Sequence, residues 1–140
     1  MDKILPDLYL GSLEDGQTCA EPIEVCFNIC EHSYEPKKYM VHAPIEDEVF
    51  HDARIWQGLV AKLYSIHHDE INHRVVLVHC RLGISRAPSL VAAYLAYCGY
   101  TRDVDHALVQ VTKQRPIAYP HMETWRGVRA WWAQSRGVAT

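Results

Sequence analysis

The stretch HCRLGISRAPS, His79 to Ser89, gathers a thiol, a glycine and a guanidinium into one short segment. Cys80 follows an apolar run, VVLV, and the segment leads into another, LVAAYLAYC. Five residues separate Cys80 from Arg86, which leaves room only for a tight loop between a strand and a helix. Such a loop can turn backbone N–H groups inward, and with the dipole of the next helix they form an anion site suited to phosphate. Gly83 permits the curl and a close approach of backbone. Arg86 adds a planar fork for two phosphoryl oxygens. The same positive field favours a thiolate at Cys80, the nucleophilic form of the side chain. One loop can therefore bind a phosphoryl group and attack it. A buried structural thiol would explain Cys80 alone, but not its coincidence with a strand, His79, Gly83, Ser85–Arg86 and a helix.

The elements that must hold this loop follow from hydrophobic periodicity. Val75 to Val78 is continuous and β-branched, the pattern of a strand covered on both faces. Leu8 to Gly11 reads as an edge strand, Glu24 to Cys30 as a strand, and Tyr39 to Pro44 as another. EHSYEPKK between the last two reads as a loop. Asp52 can cap a helix whose apolar face carries Ile55, Leu59, Leu63 and Ile66. His67, His68, Asp69, Asn72 and His73 mark its solvated end. A helix from about Arg86 to Cys98 follows the loop, with Pro88 in its first turn and Gly99 just past its end. Thr101 or Asp103 can cap a further helix that stops before Pro116. Pro120 opens the last one, which carries Met122, Trp125, Val128 and Trp132 on a helical period. Strand–loop–helix around residue 80 implies an α/β layer fold, whose ligands gather at the C-terminal ends of strands.

The composition excludes several classes. With 140 residues, 49% hydrophobic and 22% charged, the chain suits one domain, residues 1–140, with a core that needs no staples. A formal net charge of −3 gives no general basic surface for nucleic acid or anionic membranes. No apolar run approaches the roughly 20 residues that span a bilayer. MDKILPDLYLG contains no long apolar h-region, so no secretory signal is expected. Five cysteines, an odd number, favour free thiols and a cytoplasmic location. Cys26, Cys30 and His32 read as a strand with core thiols, not a zinc site, and Cys98 as core packing. Trp125, Trp131 and Trp132 belong to the core and a partly exposed last helix, where an exposed Trp131 would mark a partner surface.

HCRLGISRAPS resembles the HCxxGxxR signature of cysteine-dependent protein phosphatases, and its SR ending resembles the dual-specificity branch. The similarity extends along the chain through ILPDLYLGS, PIEDE, LVAAYLAYCGY and KQRPIAYP, and it matches the compact, atypical, catalytic-domain-only members. The resemblance implies a protein tyrosine phosphatase-like fold, a central, mostly parallel sheet of about 4–5 strands flanked by helices. It implies Cys80 as nucleophile and Arg86 as phosphate-binding residue, with the loop Arg81, Leu82, Gly83, Ile84, Ser85 and Arg86 as the phosphate cradle. His79 supports the loop. The general acid is expected some thirty residues upstream, where Asp47 stands 33 residues before Cys80 in an acidic cluster with Glu46 and Glu48. Such a donor is needed because an alkoxide leaves badly unprotonated. Asp52 is the runner-up and is better explained as a helix cap. No metal and no cofactor are implied. The expected partner is a phosphorylated protein or peptide bearing phosphotyrosine, with phosphoserine or phosphothreonine also admitted; no nucleic acid and no membrane partner is expected. A non-protein phosphoester (inositol lipid or RNA 5′-phosphate) and a phosphate-binding pseudophosphatase are the alternatives.

Two positions depart from the family pattern. Members usually carry Ser or Thr directly after the signature arginine, where the hydroxyl aids hydrolysis of the phosphoenzyme; this chain has Ala87. Members often carry Pro–Asn where this chain has Pro120–His121, and that Asn braces the loop.

Overall fold

Strand β5 (Val76–His79) is fully buried along its length and lies at the centre of a five-stranded sheet. The computed structural model describes residues 1–69, 71 and 73–136, so Asn72 lies outside the described residues. The other strands are β1 (Asp2–Leu5), β2 (Leu8–Gly11), β3 (Val25–Asn28) and β4 (Tyr39–His42), in the order β1-β2-β5-β3-β4. Only the β1–β2 pair is antiparallel; β2, β5, β3 and β4 run parallel. The helices are α1 (Leu13–Thr18), α2 (Ala53–His67), α3 (Arg86–Tyr97), α4 (Val104–Gln114) and α5 (Met122–Ser135). The α/β class and the mostly parallel sheet agree with the sequence expectation.

Both faces of β5 and β3 are covered, which is why these strands read as unbroken apolar runs. Val25, Phe27, Val76 and Val78 point into the main core with α3. Their alternates Cys26 and Leu77 face a smaller cluster with Cys19 and Ile23. Helix α3 is buried on all sides from Arg86 to Ala96, since α2, α4 and α5 pack around it. The expected caps are present: the Asp52 carboxylate accepts from the Arg54 N–H at 3.0 Å, and that of Asp103 accepts from the His106 N–H at 2.8 Å.

Four expectations need correction. β2 is not an edge strand, because β1 pairs with it across the Pro6–Asp7 turn and takes the edge. The buried face of α2 is Trp56, Leu59, Val60 and Leu63, while Ile55 is exposed, since the bulkier Trp56 turns the helix to the core. Trp131 is buried, and its indole N–H donates to Gln57 Oε1 at 2.9 Å, so it marks no partner surface. His67 is not solvated. It is buried, with Nε2 2.7 Å from Asp7 Oδ1 and Nδ1 2.6 Å from the Tyr94 hydroxyl. Cys26 and Cys30 are core thiols as expected, and no cluster of metal-ligating side chains occurs among the described residues.

Candidate active site

The loop from Cys80 to Ser85 leaves the C-terminal end of the central strand and enters α3, the place where this topology gathers ligands. Its shape is imposed from outside. Four successive carbonyls accept hydrogen bonds from other parts of the chain. The Arg81 carbonyl accepts from the Leu13 N–H at 2.9 Å, and the Ile84 carbonyl from the Tyr119 N–H at 2.7 Å. Between them, buried Arg115 donates through Nε to the Gly83 carbonyl at 2.8 Å and through a terminal nitrogen to that of Leu82 at 3.1 Å. Asp2 holds the same guanidinium at 2.8 Å. A planar trans peptide points its N–H opposite to its C=O. Four carbonyls held outward therefore turn the N–H groups of Leu82, Gly83, Ile84 and Ser85 into the concavity, an anion nest. Gly83 sits at φ +70, and a Cβ there would lie 2.6 Å from the Gly11 carbonyl oxygen, so both conformation and space require glycine.

Cys80 lies at the base of the cleft, 3% exposed, and its sulfur accepts from the Ala87 N–H at 3.4 Å. Arg86 begins α3 and is buried. One terminal nitrogen donates to Glu31 at 2.7 Å and to the Ile45 carbonyl at 3.1 Å. Burial opposes its charge, but the bond to Glu31 and the nearby Cys80 and Asp47 outweigh it and raise its pKa. The same bond lowers the pKa of Glu31. Arg86 Nε is a buried donor without a hydrogen-bond partner, 3.6 Å from Asp47 Oδ1. An unsatisfied buried donor facing a cleft is suited to a ligand oxygen.

Asp47 and Glu48 line the same cleft, a concavity of about 500 Å³, with Cys80, Arg81, Leu82, Ile84, Ser85, Arg86, Tyr119, His121 and Met122. Glu48 adopts φ +60, and the Asp47 carboxylate accepts from the Glu48 N–H at 2.9 Å. This tight turn presents Asp47 to the cleft. Asp52 instead caps α2 and is not among the lining residues. His79 is buried beside the loop, with Nδ1 3.1 Å from the Cys80 carbonyl and Nε2 2.8 Å from the Tyr34 hydroxyl. Burial lowers its pKa. One neutral tautomer satisfies both contacts: Nδ1–H donates to the carbonyl, and Nε2 accepts from Tyr34.

The structure adds Glu31, Tyr34, Arg115 and Asp2 to the residues read from sequence. Glu31 and Tyr34 sit in the segment read as a plain loop. That segment is shaped by buried Asn28, whose amide donates to the His32 carbonyl at 2.7 Å and accepts from the Cys30 N–H at 2.9 Å. The two departures from the pattern also acquire geometry. His121 braces the loop through its backbone: its N–H donates to Ser85 Oγ at 2.8 Å, while its imidazole accepts from the Glu123 N–H and caps α5. Ala87 is wholly buried, and Ser89 directs its hydroxyl to the Ser85 carbonyl at 2.7 Å.

Residues 8–134 match the family model of the dual specificity phosphatase catalytic domain. The chain is 30% identical over 142 residues to rat Protein phosphatase Slingshot homolog 3, covering 90% of this chain and 21% of that protein. It is 29% identical over 125 residues to zebrafish Dual specificity protein phosphatase 22-B, covering 86% and 68%. It thus spans about a fifth of the length of the Slingshot relative. Among solved structures, human DUSP28 superposes with a TM-score of 0.85 over 98% of this chain and 99% of that one at 18% identity. DUSP15 superposes at 0.77 over 96% and 89%, at 25% identity. The chain belongs to the dual-specificity protein phosphatase family.

Proposed function

We propose that the protein hydrolyses phosphotyrosine, and also phosphoserine or phosphothreonine, in polypeptides through a phosphocysteine intermediate, with Cys80, Arg86 and Asp47 as its catalytic residues. The observation that carries this reading is the joint placement of Cys80 at the base of an inward-facing amide nest and the unpartnered Arg86 Nε beside Asp47. In the first step Cys80 Sγ attacks phosphorus in line and the bond to the ester oxygen breaks. Arg86 and the loop amides hold the equatorial oxygens, and Asp47 gives its proton to the leaving oxygen. In the second step water attacks phosphorus, the S–P bond breaks to return the thiolate, and the Asp47 carboxylate takes the water's proton. No step calls for a metal. His79, neutral and clamped between Tyr34 and the Cys80 carbonyl, fixes the start of the loop.

The charge at the mouth favours a protein substrate over an inositol polyphosphate or RNA 5′-phosphate. Asp47 and Glu48 line the cleft, and Glu31 and Glu46 line an adjoining concavity with Asp47, so carboxylates gather on this part of the mouth and repel additional phosphates. Arg81 is the sole basic residue among the variable loop positions. The test is a panel of aryl phosphate, phosphopeptides, inositol phosphates and RNA 5′-phosphate, run on wild type and three variants. Cys80→Ser and Arg86→Lys should abolish turnover. Asp47→Asn should slow phosphoserine peptides by about 10²–10⁴-fold and a good aryl leaving group much less. Equal rates in Asp47→Asn on poor leaving groups would remove the acid assignment, and a preference for inositol phosphates would remove the protein reading.

A further inference from the structure

A second, larger concavity lies next to the cleft. It runs between α4 and α5 and encloses about 1070 Å³, against about 500 Å³ for the active-site cleft. Its lining includes Leu108, Thr112, Ala118, Trp125 and Ala130. Two residues, Tyr119 and Met122, line both concavities. They are 80% and 75% exposed, an unusual display for large apolar side chains beside a phosphate site. The segment that carries them is tied to the phosphate loop by the Tyr119 N–H to Ile84 and the His121 N–H to Ser85. The groove is therefore held in a fixed relation to the phosphoryl group.

We propose that this groove is a specificity subsite that takes a bulky apolar side chain of the substrate polypeptide, a few residues from the phosphorylated one. The proposal rests on the phosphatase reading above, which brings a polypeptide to the mouth of the cleft. A phosphorylated side chain reaching Cys80 leaves its backbone at the mouth, where Tyr119 and Met122 form the crossing to the groove. At roughly 3.3 Å per extended residue, two to four residues cover about 7–13 Å, enough to cross a pair of side chains.

The chemistry of the groove selects an apolar occupant rather than a second phosphate. Its two cations are already answered: Arg126 pairs with Glu123 at 2.8 Å and lies over the Phe50 ring at 4.2 Å, and Arg129 pairs with Asp105 at 3.6 Å. The Asp47–Glu48 turn that also lines the cleft is acidic, so an acidic flank is repelled there. The Tyr119 and Met122 part of the mouth is the part shared with the apolar groove.

The test uses Cys80→Ser, which binds without turning over, and labelled phosphotyrosine peptides read by fluorescence anisotropy. A single leucine is walked from four positions before to four after the phosphotyrosine in an otherwise serine-rich peptide. Leucine at one position two to four residues away should tighten binding about tenfold over serine there, as expected for burying one such side chain. Adding Ala130→Arg or Thr112→Arg, on opposite walls of the groove, should bring that ratio to about one. The ratio is taken within each variant, so a general loss of affinity cancels. No position with a preference above about twofold, or a preference that survives both arginines, overturns the proposal. So does a dimer in sedimentation that is lost in Ala130→Arg without any leucine preference, which would give the groove to a second copy. Hydrolysis of the same peptides by wild type is scored separately: its absence counts against the phosphatase reading, while the binding ratio alone decides the groove.

Discussion

Ala87→Ser restores a hydroxyl where the family usually has one, and its effect can be worked from the site. Among the described residues the Cys80 sulfur receives one hydrogen bond, from the Ala87 N–H at 3.4 Å. In the proposed second step the S–P bond breaks to expel the thiolate, so each donor to sulfur should lower that barrier. The neighbouring hydroxyls do not replace the missing one. Ser89 Oγ donates to the Ser85 carbonyl at 2.7 Å and Ser85 Oγ accepts from the His121 N–H at 2.8 Å, and among the described residues neither hydroxyl donates to the Cys80 sulfur. A hydrogen bond to a charged group contributes about 1.5–3 kcal/mol, and the low end is appropriate because the amide already donates. That corresponds to roughly a tenfold faster second step. In rapid-quench assays with an aryl phosphate, wild type should release a burst approaching about one phenol per enzyme, followed by a slow steady state. Ala87→Ser should raise the steady-state rate up to about tenfold and shrink the burst. Linear release from the first turnover of wild type would refute the reasoning, and so would a variant with the same burst and the same kcat.

Gly83→Ala should destabilise by at least about 1–3 kcal/mol from its positive φ alone, with the clash on the Gly11 carbonyl added; a urea titration reads it, and activity should be lost. Stability should fall as pH drops below about 6.5, because burial depresses the folded pKa of His79, and of His68 likewise, below the unfolded value. That contribution is complete above the unfolded pKa and lost on the way down to the folded one, so urea midpoints that stay flat between pH 7.5 and 5.5 would contradict it. Arg115→Lys cannot hold Asp2 and two loop carbonyls at once, and should lower kcat/KM on an aryl phosphate by about 10–100-fold. An oxyanion such as vanadate at 100 times its Kd should raise Tm by about 5–10 °C in wild type and much less in Arg86→Lys, measured by thermal shift.

The sequence showed the elements whose signal is local. β5 was legible because a strand covered on both faces has no polar alternate, and α2 and α4 because Asp52 and Asp103 are strong caps. β1 was hidden because DKIL has no alternation of its own and becomes a strand only by pairing with β2. α1 was missed although Ser12 and Asp15 form a capping box, because its six residues are too few to show a period. Cys80 and Arg86 were legible as a pair because both lie in one loop. Glu31, Tyr34 and Asp2 were not, since they reach the site from segments far away in sequence, and nothing local distinguishes a carboxylate that will meet Arg86 from one that faces water. His67 shows the same limit: its solvated reading failed because Asp7 and Tyr94 arrive from 60 and 27 residues away.

The two departures from the family pattern differ in what the missing group did. The asparagine usual at position 121 braces the loop. Here the backbone N–H of His121 donates to Ser85 Oγ, and the imidazole caps α5. Any residue has that N–H except proline, so this backbone contact does not depend on the side chain at position 121. The hydroxyl usual at position 87 is different. Its role requires a donor that can approach sulfur alongside the backbone amide, and the amide of Ala87 is already spent on the same sulfur. No second backbone group on that residue can stand in. The contacts that shape the loop are therefore present, and on the proposed mechanism the missing hydroxyl bears on the one step where the thiolate must leave. On that mechanism, the phosphoryl group should stay on Cys80 longer than in the Ala87→Ser variant, and the burst assay reads that difference.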